Sequence, residues 1–150
     1  MTVTAQMFDT HPRANDIANR DALLACIDAC LECGQACTTC ADACLSEEMV
    51  ADLTTCIRLN QDCADLCDTT ARLLSRHTGT DTTVLRAALE ALRAACAACA
   101  AECDTHADMH EHCRVCAPTR STVLWPSSLP RISAISRWRK QDGPACICLY

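Results

Sequence analysis

The sequence of 150 residues contains very few aromatic residues, glycines and prolines. It has one Phe, one Tyr, two Trp, three Gly and five Pro. Residues 13–117 lack aromatic residues and proline altogether, and their only glycines are Gly34 and Gly79. This region also shows no sustained alternation of apolar and polar residues and few β-branched residues, which excludes a sheet-based fold. Its composition, rich in Ala, Leu, Cys, Asp, Glu and Arg, favours helix.

Long apolar runs and a secretory leader are also missing. No stretch approaches the roughly 18 apolar residues of a membrane-spanning helix. The N-terminal sequence MTVTAQMFDTHPRANDIANRD has no apolar run after a basic start. We therefore expect a cytoplasmic protein, where clustered cysteines indicate metal or redox chemistry more often than disulfides. No Ser/His/Asp set, phosphate-binding loop or cofactor fingerprint indicates an enzyme.

Charge is divided unevenly along the chain. The formal net charge is −6, but residues 1–117 carry −10 and residues 118–150 carry +4. The acidic part holds most of the cysteines, so electrostatic repulsion disfavours nucleic acid and anionic membranes as partners.

The helical pattern divides into four segments. The first covers about residues 15–45, and the second follows Ser46, which is a suitable N-cap. A third helix covers about residues 82–103 after a break at Gly79 with Thr80 or Asp81 as its N-cap, and DTHAD (104–108) is predicted to be a turn before the fourth. Short connections favour antiparallel neighbours, so the prediction is an all-α, up-down four-helix bundle.

The amino-acid composition of the chain changes at Pro118. Residues 118–150 contain four of the five prolines, both tryptophans and the only tyrosine, and they do not continue the amphipathic pattern of the fourth helix. We expect residues 1–14 to be a flexible N-terminus, 15–117 to be the cysteine-rich bundle with a truncated fourth helix, and 118–150 to be an irregular, disordered tail.

Cysteine is the residue that the sequence has in excess, with 16 copies. At about 100° per residue, the six cysteines within residues 26–44 lie within about 40° of one line on a helix. A second stripe contains Cys56, Cys63 and Cys67, with Met49 on the same arc and Asn60 at its edge. A third contains Cys96, Cys99 and Cys103. Each stripe occupies the face that a bundle helix normally gives to Leu, Ile and Val, so the predicted interior is lined with sulfur.

Three interpretations of these stripes compete. Cysteine can act as a small apolar residue, but so many would make a poor core without aromatic residues. Disulfides between helices are possible, although thiols on one face of one helix rarely reach each other without distortion. Metal binding is the third, and soft thiolates select soft ions such as Cu(I). One monovalent ion per thiolate also leaves a buried cluster nearly neutral.

The motifs ACIDACLECGQACTTCADAC, CIRLNQDCADLC, CAACAAEC and HADMHEHCRVC resemble the four-helix-bundle copper storage proteins. The resemblance covers about residues 15–117 and implies a cytosolic homotetramer whose bundle cores hold many Cu(I) ions. It implies as copper ligands the cysteines at fourteen positions: Cys26, Cys30, Cys33, Cys37, Cys40, Cys44, Cys56, Cys63, Cys67, Cys96, Cys99, Cys103, Cys113 and Cys116. Cys146 and Cys148 lie outside every stripe.

Histidines and a methionine cluster before the fourth helix. His106 and His110 are candidates for the point at which Cu(I) enters, with Met109 and His112 weaker candidates. His11 and His77 are expected to be solvated, and Asn60 to fill space rather than to bind metal. The sequence thus predicts non-catalytic storage or buffering of multiple Cu(I) ions. The alternatives are a thiol buffer for zinc or other soft metals and a disulfide-stapled interaction protein.

Overall fold

A computed structural model describes residues 2–17, 19–79 and 82–117. Every regular element in these ranges is helical: α1 (Val3–Asp9), α2 (Arg20–Leu45), α3 (Thr54–Leu74), α4 (Thr82–His106) and α5 (Glu111–Cys116), with 3-10 turns at Ala14–Asp16 and Val50–Leu53. None of these helices is long and apolar enough to cross a membrane. The predicted tail, 118–150, lies outside the described residues, as do Thr80 and Asp81.

Contacts between cysteines establish that α2, α3 and α4 alternate in direction. Cys44 near the end of α2 and Cys56 near the start of α3 have their Sγ atoms 3.8 Å apart. Further from that connection, the Sγ atoms of Cys33 and Cys63 are 3.9 Å apart. Cys56 and Cys63 also contact α4, at its later Cys103 and its earlier Cys96 respectively. Each helix therefore runs antiparallel to the one before it.

The short helix α5 closes the remaining side of the bundle. The ring of His112, at its start, lies beside Cys40, while Cys116, at its end, lies beside Cys37. Helix α5 thus runs antiparallel to α2 and next to it. The prediction of an all-α, up-down four-helix bundle with a cysteine-lined core is confirmed.

The two ends of the bundle differ in composition. At one end lie the α2–α3 connection and the histidines around α5; we call this the histidine end. At the other, the core contains, besides Cys26, ordinary apolar side chains that are at most 8% exposed: Leu24, Ile27, Leu74 and Leu92. The thiols fill the length between the histidines and this apolar end.

Several predicted helix boundaries are wrong, and the largest error concerns the start of α3. Ser46 ends α2 rather than capping α3, because its N–H and its hydroxyl donate back to carbonyls of α2. The chain then turns through a 3-10 segment that buries Leu53, which is 1% exposed. Met49 lies in this turn and is 63% exposed, so it does not join the second cysteine stripe.

The other boundary differences are smaller. Helix α2 begins at Arg20 rather than near residue 15, since Asn19 adopts a left-handed conformation with φ of 51°. Helix α4 continues to His106, so the turn predicted over residues 104–108 is shifted to 107–109.

The N-terminal segment contains a helix where a flexible chain was expected. Phe8 of α1 is 5% exposed, and its ring packs edge-on against His77 with a centroid separation of 4.8 Å. Arg20 ties α1 to the start of α2 through an ion pair with Asp9 and a hydrogen bond to a backbone carbonyl. His77 is half-buried in this contact, and its ring also meets that of His11. The expectation that both histidines are solvated is therefore wrong.

Gly34 lies where α2 and α3 approach closely. A Cβ atom at this position would be 3.1 Å from a carboxylate oxygen of Asp68 and 3.4 Å from Cβ of Cys67. By contrast, a Cβ atom at Gly79 would meet nothing within 4 Å. The absence of a side chain at Gly34 allows the cysteine stripes of the two helices to come into contact.

Replacing Gly34 by Val should force α2 and α3 apart. We expect Gly34→Val to lower the free energy of unfolding of the reduced, metal-free protein by about 1–3 kcal/mol, as overpacking does. The matched variant Gly79→Val should change it by less than about 0.5 kcal/mol. Denaturant unfolding followed by circular dichroism measures both. Equal losses in the two variants would contradict the close approach at Gly34.

Candidate metal centre

The core of the bundle consists largely of sulfur. The structure describes fourteen cysteines, none of which forms a disulfide bond, and eleven of them are buried. Cys33, Cys96 and Cys116 are half-buried. The close Sγ–Sγ contacts are 3.6 to 4.0 Å long, far beyond the roughly 2.05 Å of a disulfide bond. The stripes that the sequence predicts on α2, α3 and α4 therefore face one another inside the bundle.

The thiols form four groups, in each of which the sulfur atoms lie within 4.8 Å of one another. Two groups have four members and two have three. From the apolar end to the histidine end they are Cys33–Cys63–Cys67–Cys96, Cys37–Cys63–Cys99, Cys40–Cys103–Cys116 and Cys40–Cys44–Cys56–Cys113. Cys63 belongs to the first two groups and Cys40 to the last two, so each half of the row is continuous.

Cys26 and Cys30 belong to none of these groups within the described residues. They lie about two turns and one turn before Cys33 on α2, respectively, towards the apolar end, and both are 0% exposed. The resemblance implied that they are copper ligands like the others, but here they are set apart from the four groups.

Asn60 sits at the middle of the row and is completely buried. Its Nδ2 lies 2.9 Å from the carbonyl oxygen of Cys56 and 3.4 Å from the Sγ atoms of Cys56 and Cys103. Its Oδ1 accepts from the thiols of Cys99 and Cys116 at 3.4 and 3.1 Å. The expectation that Asn60 merely fills space is therefore wrong. Its amide joins the two halves of the sulfur row.

The histidine end brings imidazoles to the outermost thiols. Nδ1 of His112 is 3.5 Å from the Sγ atoms of both Cys40 and Cys113. His110 and His106 are only 15% and 14% exposed in their side chains, and each contacts a glutamate. Met109 is 73% exposed. His112, a weaker candidate than His106 and His110 on the sequence alone, is the histidine that contacts the thiols of the core.

Glu47 is the residue at this end that the sequence did not indicate. Its Oε1 lies 3.0 Å from Nδ1 of His110 and 3.2 Å from Nε2 of His112. It belongs to the turn between α2 and α3, more than sixty positions away in the chain. No spacing pattern connects it to the histidines, since only the folded chain brings them together.

A groove between α2 and α5 reaches the sulfur row from the side. Its volume is about 520 Å³, and Cys40, Cys116, His112 and Val115 contribute to its lining. The half-buried Cys116 therefore borders this groove together with His112.

The family model for copper storage proteins matches residues 19–123. The chain belongs to the copper storage protein family. The match covers α2 to α5 and confirms the resemblance that the cysteine motifs predict. A comparison with curated proteins gives no match.

Solved structures of copper storage proteins resemble this family member closely. The protein Ccsp from Streptomyces lividans, loaded with 10 copper equivalents, is 56% identical with a TM-score of 0.73, over 77% of this chain and 87% of that chain. A cytosolic copper storage protein from Streptomyces lividans with five coppers is 64% identical with a TM-score of 0.64, over 65% of this chain and 81% of that chain.

In this copper storage protein the pKa values of the core thiols are shifted in both directions: those of Cys63, Cys103 and Cys116 are lowered by hydrogen bonds from neighbouring thiols, whereas others are raised. Burial, followed by the charge of neighbouring thiolates, raises the pKa of Cys113 to about 12 and also raises the pKa of Cys56. A hydrogen bond to Cys116 raises the pKa of Cys37. These thiols are therefore protonated at neutral pH while no metal is bound, and a metal ion must displace their protons.

We expect Cu(I) binding to release about one proton for each thiol of raised pKa that becomes a ligand. Because the raised pKa values keep these thiols protonated through neutral pH, the apparent affinity should rise with pH, by about tenfold per pH unit for each proton displaced. Anaerobic Cu(I) titration in a weakly buffered solution with a pH indicator counts the protons. A pH-independent affinity with no proton release would show that the thiols are already ionised.

Proposed function

We propose that this protein stores Cu(I) by binding several ions to cysteine thiolates inside its bundle. The observation that carries the proposal is the row of four adjoining sulfur groups in a buried core. We propose that all fourteen cysteines of the described residues can bind copper. Those that belong to the four groups are the main ligands. Copper is the stored cargo of this site and not a catalytic cofactor, and we propose no catalytic activity.

The spacing of the sulfur atoms supports metal binding. Three or four sulfurs around one ion, with metal–sulfur bonds of about 2.3 Å, would lie about 3.8 to 4.0 Å apart. The close contacts between helices are 3.6 to 4.0 Å. The thiols therefore need little movement to become ligands.

Charge favours Cu(I) over a divalent ion. Shared thiolates with one monovalent ion each form a nearly neutral cluster, whereas a zinc ion held by four unshared thiolates carries two net negative charges. The surroundings of the groups make such charge costly, since Cys44, Cys56, Cys67 and Cys103 are all 0% exposed.

Zinc buffering is the second candidate, and one observation favours it. The two four-thiol groups, at the two ends of the row, have the ligand number of a structural zinc site. The two three-thiol groups between them suit Cu(I), which accepts fewer ligands. A disulfide-stapled protein has less support, because the close Sγ–Sγ contacts among the described cysteines are 3.6 to 4.0 Å long, well beyond a disulfide bond.

The setting of this function is also part of the proposal. A relative is described as a cytosolic copper storage protein, which supports a cytosolic location here.

We also propose the homotetramer that the family resemblance implies. We propose that residues 15–117 are the functional unit and that residues 118–150 are a dispensable tail. The charge of −10 on residues 1–117 supports the absence of nucleic acid and membrane partners.

Anaerobic titration of the reduced, full-length protein with Cu(I) against a competing chelator tests the proposal. We expect many equivalents per chain, held tightly, and a marked rise in melting temperature because the metal binds the folded state. Saturation at one or two ions would contradict storage. Zinc binding with similar capacity and affinity would support the buffer instead.

Matched cysteine variants make this test specific to the sulfur groups. Cys63→Ser removes a ligand shared by two groups, so we expect it to lower the number of tightly held ions. Cys30→Ser changes an equally buried thiol that belongs to no group, and it should lower that number less. If the two variants lose the same capacity, the division into groups has no bearing on storage.

A further inference from the structure

Glu47, His110 and His112 bring three donor atoms together at the histidine end. They come from different segments: Glu47 from the turn after α2, His110 from the residue before α5, and His112 from the first turn of α5. One carboxylate oxygen and two imidazole nitrogens lie within 4.8 Å of one another. The side chains are 35%, 15% and 22% exposed, respectively. The group is thus partly shielded but open to solvent.

The separations match those around a small divalent cation. Oε1 of Glu47 is 3.0 Å from Nδ1 of His110 and 3.2 Å from Nε2 of His112. Nitrogen and oxygen ligands at about 2.0–2.1 Å in tetrahedral geometry lie about 3.3–3.4 Å apart. A cation could therefore replace the two hydrogen bonds of Glu47 with only a small lengthening of these two separations.

The kind of donor selects a metal different from the one proposed for the core. Two imidazoles and a carboxylate form a ligand set that suits zinc and related divalent ions, and a fourth position stays open for water. The set contains no sulfur, which Cu(I) prefers. The acidic charge of residues 1–117 further attracts divalent cations to this surface.

We propose that Glu47, His110 and His112 form a binding site for a divalent cation of the zinc class, separate from the thiol groups. The site does not depend on copper storage, since its ligands are present whatever the core binds.

His112 connects this site to the sulfur row. Its Nε2 faces Glu47, while its Nδ1 faces the thiols of Cys40 and Cys113 at 3.5 Å. When Nε2 holds a cation, the proton of the neutral ring must be on Nδ1, which faces these sulfur atoms. The cation would thus contact one nitrogen of the His112 imidazole, and the outermost four-thiol group would contact the other.

Cobalt(II) is the probe for this site because its spectrum distinguishes nitrogen and oxygen ligands from thiolate. The full-length protein is first loaded anaerobically with Cu(I) to occupy the thiols. A chelator of moderate affinity then removes copper held by weaker ligands. We expect one Co²⁺ per chain, with visible ligand-field bands and no thiolate-to-cobalt charge-transfer band, and displacement by Zn²⁺.

Four variants locate the site. Glu47→Gln and His110→Ala each remove a ligand and should weaken Co²⁺ binding more than about tenfold. Glu48→Gln alters the neighbouring, exposed acid and should have no effect. His106→Ala alters a histidine paired with Glu102 alone in the described structure and should likewise bind Co²⁺ as the unaltered protein does.

Three results would overturn the site: no Co²⁺ bound by the unaltered protein, a thiolate charge-transfer band, or the same affinity in Glu47→Gln as in Glu48→Gln. The number of Cu(I) ions bound in the loading step is measured separately. Failure to load copper would count against storage, and failure to bind Co²⁺ would count against this site alone.

Discussion

The rest of the structure depends on the need to neutralise the negative charge of closely packed, buried thiolates. Buried sulfur atoms 3.6 to 4.0 Å apart cannot all be ionised, because each additional thiolate is repelled by its neighbours and is poorly hydrated. The thiols must either keep their protons, as the raised pKa values of Cys37, Cys56 and Cys113 indicate, or exchange them for cations. The protein is built so that a soft monovalent cation can replace each proton.

This requirement explains how the bundle is stabilised. Thiols provide less apolar area than leucine, so the cysteine-lined part adds little hydrophobic stability for its size. The ordinary apolar residues are concentrated at the other end, where Ile27 and Leu92 are buried and Phe8 brings the N-terminal helix onto the bundle. Asn60 then fixes the middle of the sulfur row through hydrogen bonds to four cysteines. One end therefore maintains the fold while the other can exchange protons for metal.

Helical periodicity was enough to predict the bundle, the stripes on three helices and the inward direction of the cysteines. It could not give the register between helices, which decides that Cys63 and Cys40 are each shared by two groups. It also placed Met49 on a stripe, because a continuous pattern hides the turn that begins at Ser46. The proximity of Glu47 to His110 and His112 depends on how two connections meet at one end of the bundle. No local sequence pattern predicts that these two connections lie next to each other.

X-ray absorption at the copper edge of the anaerobically loaded, full-length protein tests the central claim most directly. If Cu(I) neutralises the buried thiols, the edge will be that of Cu(I), the first shell will consist of sulfur, and copper–copper scattering will show that neighbouring groups share thiolates. A first shell dominated by nitrogen or oxygen, or isolated copper ions without copper–copper scattering at high loading, would contradict it.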